Sequence, residues 1–203
     1  DWPEGWPTPP FKFDFTDMPD GSIMWNACLV LYHYLVSTPS IRESMVGKRV
    51  LELGAGTGHL GIGLARIGCD VTCTERQREM GPLLRSVEAE TANPGPGFGK
   101  LRALELSWGK DGCEESKEVL AGAPYDIIIA SELVYLEETH DLLLYTMEQL
   151  ASHETVIWSI FLNRPFSFLF FEKMDDQGVF DLELIKDEDV DYMGLEECAI
   201  HKI

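Results

Sequence analysis

Basic residues are scarce in this chain: 16 Lys and Arg stand against 35 Asp and Glu in 203 residues, a net charge of −19. Nucleic-acid affinity depends on Lys and Arg neutralising phosphates, and no concentrated basic patch makes up the deficit, so no nucleic-acid partner is expected. An anionic membrane surface is disfavoured for the same reason, whereas a basic protein segment would be attracted. Long apolar runs are missing too. None approaches the roughly 20 residues of a membrane helix, and the opening Asp1-Trp2-Pro3-Glu4-Gly5 does not have the pattern of a signal peptide. A soluble protein with no membrane partner is the expectation. Five cysteines (Cys28, Cys69, Cys73, Cys113, Cys198) form no Cys-x-x-Cys pair, and no His stands beside them at metal-ligand spacing. That fits a reduced, cytoplasmic setting without a metal site. Hydrolase and nucleotide-triphosphatase signatures are absent: there is no Gly-x-Ser-x-Gly elbow and no His-Glu-x-x-His. Gly95-Pro96-Gly97-Phe98-Gly99-Lys100 fails the phosphate-loop spacing.

What remains is an ordinary globular composition, 45% hydrophobic and 25% charged, on a chain long enough for one domain burying roughly 70% of its unfolded surface. Residues 1–21, rich in Pro, Asp and aromatics with Phe11, Phe13 and Phe15 alternating, read as an N-terminal arm packed on a single domain over 22–203. From Ser22 apolar residues recur at Trp25, Leu29, Tyr32 and Val36, the spacing of a helix that Pro39 stops. Strands and helices then alternate. Strands are expected at Arg49–Leu53, Asp70–Thr74, Leu101–Leu106, Tyr125–Ala130 and Thr155–Phe161, with helices over 57–67, 77–91, Thr139–Leu150 and Pro165–Gln177. This alternation predicts an α/β fold, a doubly wound, Rossmann-like seven-strand sheet that is mostly parallel. Val179–Ile185 and Cys198–Ile203 should close it as an antiparallel edge pair.

The first strand runs directly into Gly54-Ala55-Gly56-Thr57-Gly58 and then a helix. Such a loop lets a ligand approach main-chain N–H groups at a helix N-terminus. Two cofactor classes are open on the residues alone. Gly56-x-Gly58-x-x-Gly61 satisfies the dinucleotide pattern, and Glu75 stands near the offset of a ribose-binding acid. Glu52, two residues before the first glycine, would repel a pyrophosphate. A cationic cofactor reverses that sign, and S-adenosylmethionine offers a ribose for Glu75, no phosphate, and positive sulfonium and ammonium groups.

The string Glu52-Leu53-Gly54-Ala55-Gly56-Thr57-Gly58 resembles the first motif of the class I, seven-strand S-adenosylmethionine-dependent methyltransferases. After the fourth strand, Asp126-Ile-Ile-Ile-Ala-Ser131-Glu132-Leu133-Val134-Tyr135 resembles the protein lysine methyltransferase group of methyltransferase family 16, methyltransferase-like 21 type, whose hallmark there is Asp-x-x-Tyr. The resemblance covers most of the chain from about residue 20 onward. It implies a methyltransferase that moves a methyl group from S-adenosylmethionine to a lysine of a protein substrate; the acidic charge suits a lysine presented in a basic surface, and a monomer is expected. It implies that Trp25, Glu52, Gly54, Ala55, Gly56, Thr57, Gly58, Glu75, Arg76, Trp108 and Ser131 bind the cofactor, with Glu75 on the ribose and Ser131 beside the methionine part. Glu132 and Tyr135 would frame the acceptor amine as the catalytic pair.

One residue departs from the pattern: the family's Asp is Glu132, which keeps the charge and lengthens the reach by a methylene. The nucleic-acid branch of the fold carries Asn/Asp-Pro-Pro-Tyr/Phe here, and Ser131-Glu132-Leu133-Val134 has no proline. A small-molecule methyltransferase and a non-catalytic cofactor-binding adaptor remain as alternatives. Trp25 could equally be a core anchor, Tyr135 a packing residue under the following helix, and Phe166, Phe168, Phe170 and Phe171 the cover of a helix. The five histidines form no recognisable cluster.

Overall fold

The computed structural model describes residues 26–162, 167–185 and 198–203. The arm over 1–21, Trp25 and Phe166 lie outside the described residues. In chain order the elements are α1 Asn26–Ser37, α2 Pro39–Met45, β1 Arg49–Leu53, α3 His59–Arg66, β2 Asp70–Glu75, α4 Met80–Thr91, β3 Lys100–Glu105, α5 Lys110–Glu115, α6 Lys117–Gly122, β4 Ile127–Ser131, α7 His140–Leu150, β5 Val156–Leu162, α8 Ser167–Gln177, β6 Glu183–Leu184 and β7 Cys198–Lys202.

All seven strands join one sheet in the order β3-β2-β1-β4-β5-β7-β6. β1 to β5 run parallel, and β7 pairs antiparallel with both β5 and β6. The apolar strands are continuous rather than alternating because helices cover both faces of the sheet. Along β4, Ile127 and Ile129 enter a core with Leu31, Leu35, Leu60 and Leu83 from α1, α3 and α4. Ile128 and Ala130 enter a second core with Leu143, Met147, Phe170 and Met174 from α7 and α8. The period-two side-chain alternation of a strand therefore divides one apolar run between two layers.

Three features differ from the expected elements. Pro39 ends α1 and also opens α2, since a proline at the first helical position gives up no intrahelical hydrogen bond. Residues 110–122, charge-rich and without a clear period, form the short helices α5 and α6, each anchored by a buried apolar side chain, Cys113 and Val119. Of the expected Val179–Ile185 strand only Glu183–Leu184 is strand, with the Ile185 N–H still donating to the Ile200 carbonyl at 3.0 Å. As the outermost strand it has a single neighbour, and Val179, Leu182 and Leu184 stay exposed.

Strand order reverses between β1 and β4, whose connections leave toward opposite sides of the sheet. A doubly wound sheet opens a crevice at the carboxyl ends of its strands at that point. Here it lies between Leu53 and Ser131.

Candidate active site

The segments that follow β1, β2, β3 and β4 converge on a cavity of about 410 Å³ at this crevice, a size typical of small-molecule sites. Glu52, Gly54, Ala55, Gly56, Thr57, Glu75, Arg76, Trp108, Ser131, Glu132 and Tyr135 all line it. Gly58 does not. It is buried at the N-cap of α3, its N–H donating to the Ala55 carbonyl at 2.8 Å. Trp25 lies outside the described residues.

The glycine loop is held from below and open above. The Ala55 N–H donates to the Thr74 carbonyl at 2.9 Å, tying the loop to β2. Gly54 has a φ of +56° and sits so close under the loop after β4 that a Cβ there would lie 2.6 Å from Leu133 Cδ2. A Cβ on Gly56 would meet nothing within 4 Å, so the loop presents bare backbone to the cavity.

Glu75, at the end of β2, accepts the Gly56 N–H at 3.3 Å through one carboxylate oxygen and the Arg76 N–H at 2.8 Å through the other. It thereby ties the glycine loop to the end of β2. Trp108 is half-buried and lies over Gly54, its ring carbon 3.4 Å from where a Cβ would stand.

Beyond β4 the chain turns abruptly. Glu132 takes a left-handed φ of 59°, uncommon for a residue with a long side chain. Its N–H still donates to Ile160 O at 2.8 Å, which extends the β4–β5 pairing by one residue. The turn swings the Glu132 side chain into the cavity wall, where it is 7% exposed. Ser131 Oγ is buried there without a hydrogen-bond partner among the described residues. A buried hydroxyl left unpaired is costly, so one at a cavity wall is a contact open to a ligand or an ordered water. Buried His140, at the start of α7, bonds the Val134 carbonyl through Nε2 at 3.0 Å and pins the segment that carries Glu132 and Tyr135.

Glu52 is placed more deeply than its sequence position suggests. It is 3% exposed and forms part of the cavity floor. Its Oε2 accepts the Gly61 N–H at 2.9 Å and the Cys73 thiol at 3.3 Å. Burial pushes its pKa up to about 7, with those two hydrogen bonds opposing and the nearby Glu75 adding to the rise. A Cβ on Gly61 would come 2.5 Å from Glu52 Oε2, so only glycine allows this carboxyl under the helix.

Several lining residues were not legible beforehand. His59, the first residue of α3, shares a 2.6 Å hydrogen bond with Thr57 Oγ1 through Nδ1, and burial lowers its pKa. Its position directly after Gly58 was the available signal. Cys28 from α1, and Leu136, Thr139 and Leu142 before and within the first turn of α7, reach the cavity only through tertiary packing.

The cavity fits S-adenosylmethionine better than a dinucleotide. Among the described residues, three carboxyl side chains, Glu52, Glu75 and Glu132, line it against Arg76, which is ion-paired with Glu79 at 3.6 Å. A pyrophosphate would be repelled here and a sulfonium attracted. The unpaired Ser131 hydroxyl and the bare backbone at Gly56 complete the fit.

Comparison with known proteins points to the same cofactor class. The sequence profile of the family described as lysine methyltransferase matches residues 15–177. The chain is 37% identical over 139 residues to protein N-lysine methyltransferase METTL21A of Danio rerio, covering 67% of this chain and 58% of that protein. It is 39% identical over 134 residues to EEF1A lysine methyltransferase 3 of Mus musculus, covering 66% of this chain and 52% of that protein. The chain thus spans between about half and three-fifths of the length of these curated relatives. Among solved structures, a SAM-dependent methyltransferase from Agrobacterium tumefaciens superposes with a TM-score of 0.57 at 14% identity, covering 88% of this chain and 62% of that one. The magnesium protoporphyrin IX methyltransferase of Synechocystis, solved with bound SAM, superposes with a TM-score of 0.55 at 15% identity, covering 90% of this chain and 85% of that one. At these identities the structural likeness establishes the fold.

Proposed function

Because this chain belongs to the lysine methyltransferase family, we propose that it transfers a methyl group from S-adenosylmethionine to a lysine exposed in a basic stretch of another protein. One observation carries the reading: a single cavity brings the glycine loop and Glu75 together with Glu132 and Tyr135. The names of the relatives, a protein N-lysine methyltransferase and an EEF1A lysine methyltransferase, support the substrate class. The free thiols of Cys28, Cys69, Cys73 and Cys113 support a cytoplasmic setting.

S-adenosylmethionine supplies a methyl group made electrophilic by its sulfonium. Glu75 would accept hydrogen bonds from the ribose hydroxyls while its other contacts hold the loop backbone in place. The Ser131 hydroxyl would bind the methionine portion, and Glu52 beneath it would favour the neighbouring positive charge. Trp108 packs over Gly54 and would cover the cofactor from that side. At the acceptor end the Glu132 carboxylate would bind the lysine ammonium, and loss of its proton to Glu132 or to water leaves the neutral amine facing the methyl carbon. The rate then depends on alignment, where a displacement of about 1 Å can cost on the order of 100-fold. Glu132 has one methylene more than the Asp of the family pattern, which lengthens its reach toward the acceptor.

Incubation with methyl-labelled cofactor and a cell extract tests the proposal. Label that resists nuclease, disappears with protease and is recovered on lysine is the expected outcome. Label confined to small metabolites refutes the protein substrate.

A further inference from the structure

The mouth of the cavity is more apolar than a lysine side chain needs. Tyr135 is 50% exposed, Leu136 39% and Leu142 46%, and all three line the opening. They account for a third of the nine large hydrophobic side chains left exposed among the described residues. A soluble protein rarely leaves such side chains grouped without a use for them. They are also built into a fixed shelf. Leu142, in the first turn of α7, leans on Gly109, where a Cβ would lie 2.7 Å from Leu142 Cδ2, and so joins the loop after β3 to α7. Leu136 receives the Thr139 hydroxyl on its carbonyl at 2.8 Å, which sets its backbone. Beside this shelf stand Glu137 and Glu138, both exposed. Lys173 is paired with Asp141 at 2.9 Å, and no ion pair among the described residues engages Glu137 or Glu138.

We infer that this mouth reads the substrate beyond its lysine: the preferred partner is an exposed protein segment whose acceptor lysine is flanked by a large apolar side chain that seats on Tyr135, Leu136 and Leu142, with a further basic residue facing Glu137 and Glu138. The inference rests on the proposed lysine methylation and adds a sequence preference to it. Charge complementarity selects basic segments in general, and the apolar shelf selects among them, because a buried leucine gains free energy that a serine at the same place does not.

Two synthetic peptides test this on the protein saturated with S-adenosylhomocysteine: acetyl-Gly-Arg-Leu-Lys-Leu-Arg-Gly and its counterpart with serine in place of both leucines. Fluorescence anisotropy should give about tenfold tighter binding for the leucine peptide. Raising salt should weaken both peptides and leave that ratio in place. Leu136→Ser and Leu142→Ser, each made separately, should bring the leucine peptide down toward the serine peptide. Equal affinities, or no binding of either peptide, overturns the inference. Calorimetry of S-adenosylhomocysteine with the unmodified protein separates the two claims, since absence of cofactor binding would refute the proposed function itself.

Discussion

Replacing Glu52 with glutamine should stabilise the protein at pH 8 and weaken its cofactor, two effects of opposite sign from one buried carboxyl. The side chain is 3% exposed, and burial raises its pKa from 4.5 to about 7 in the folded protein. Below pH 4.5 it is protonated in both folded and unfolded chains and contributes nothing to the pH dependence. Between 4.5 and 7 the unfolded chain loses this proton while the folded chain keeps it, so stability falls as pH rises. Above 7 the full cost is present, about 3 kcal/mol at 1.36 kcal/mol per pKa unit. Glutamine keeps an oxygen for the Gly61 N–H and the Cys73 thiol and carries no charge at any pH. At pH 8 the ligand-free variant should therefore melt roughly 6–12 °C higher than the parent, with the difference vanishing toward pH 5. Cofactor binding runs the other way. A sulfonium and an ammonium nearby favour the ionised carboxylate, so at about pH 6.5 binding should release protons from the parent and not from the variant. Calorimetry in buffers of different ionisation enthalpy measures that release, and cofactor affinity should be about tenfold lower in Glu52→Gln. Parallel melting curves for the two proteins from pH 5 to 8 would refute the reasoning.

Other outcomes follow from the same geometry. Glu132→Ala should lower methyl transfer by at least about 100-fold while calorimetric cofactor affinity holds, and Glu75→Ala should weaken the cofactor; unchanged transfer in the first would remove Glu132 from the site. Gly61→Ala reverses the usual helix preference: alanine normally stabilises a helix interior by about 1 kcal/mol over glycine, but here its methyl would stand 2.5 Å from Glu52 Oε2, so thermal denaturation should show a loss of about 1–3 kcal/mol. His201 is stacked against Phe161 and Phe171, and burial lowers its pKa to about 4. The unfolded chain takes up this proton below about 6.5 and the folded chain resists until about 4, so stability is lost as pH falls through that window. His201→Phe should flatten this acid slope in denaturant titrations.

Much of the fold was legible because it rests on local signals. The run Tyr125–Ala130 announces a strand covered on both faces, and Gly54 to Gly58 marks the turn from a strand into a helix. The short helices α5 and α6 were not legible, since six residues leave no period to read and their anchors, Cys113 and Val119, are fixed by what they pack against. The sequence pattern from Val179 to Ile185 is longer than β6 because alternating apolar residues mark pairing capacity, whereas pairing itself needs a neighbour.

The same division runs through the site. Residue types and spacing along the chain determined which groups could hold a cationic nucleoside cofactor and where a carboxylate and a tyrosine would follow the fourth strand. Local sequence could do this because the glycine loop, Glu75 and the Ser131–Tyr135 segment each sit at a strand end, and a parallel sheet places such ends side by side. Tertiary structure decided the rest. It buried Glu52 beneath α3 and set its ionisation near pH 7, turned the backbone left-handed at Glu132, and brought Cys28, His59 and Leu142 into one wall from three helices. Desolvation and close approach depend on atoms distant in the chain, so no spacing in the sequence could specify them.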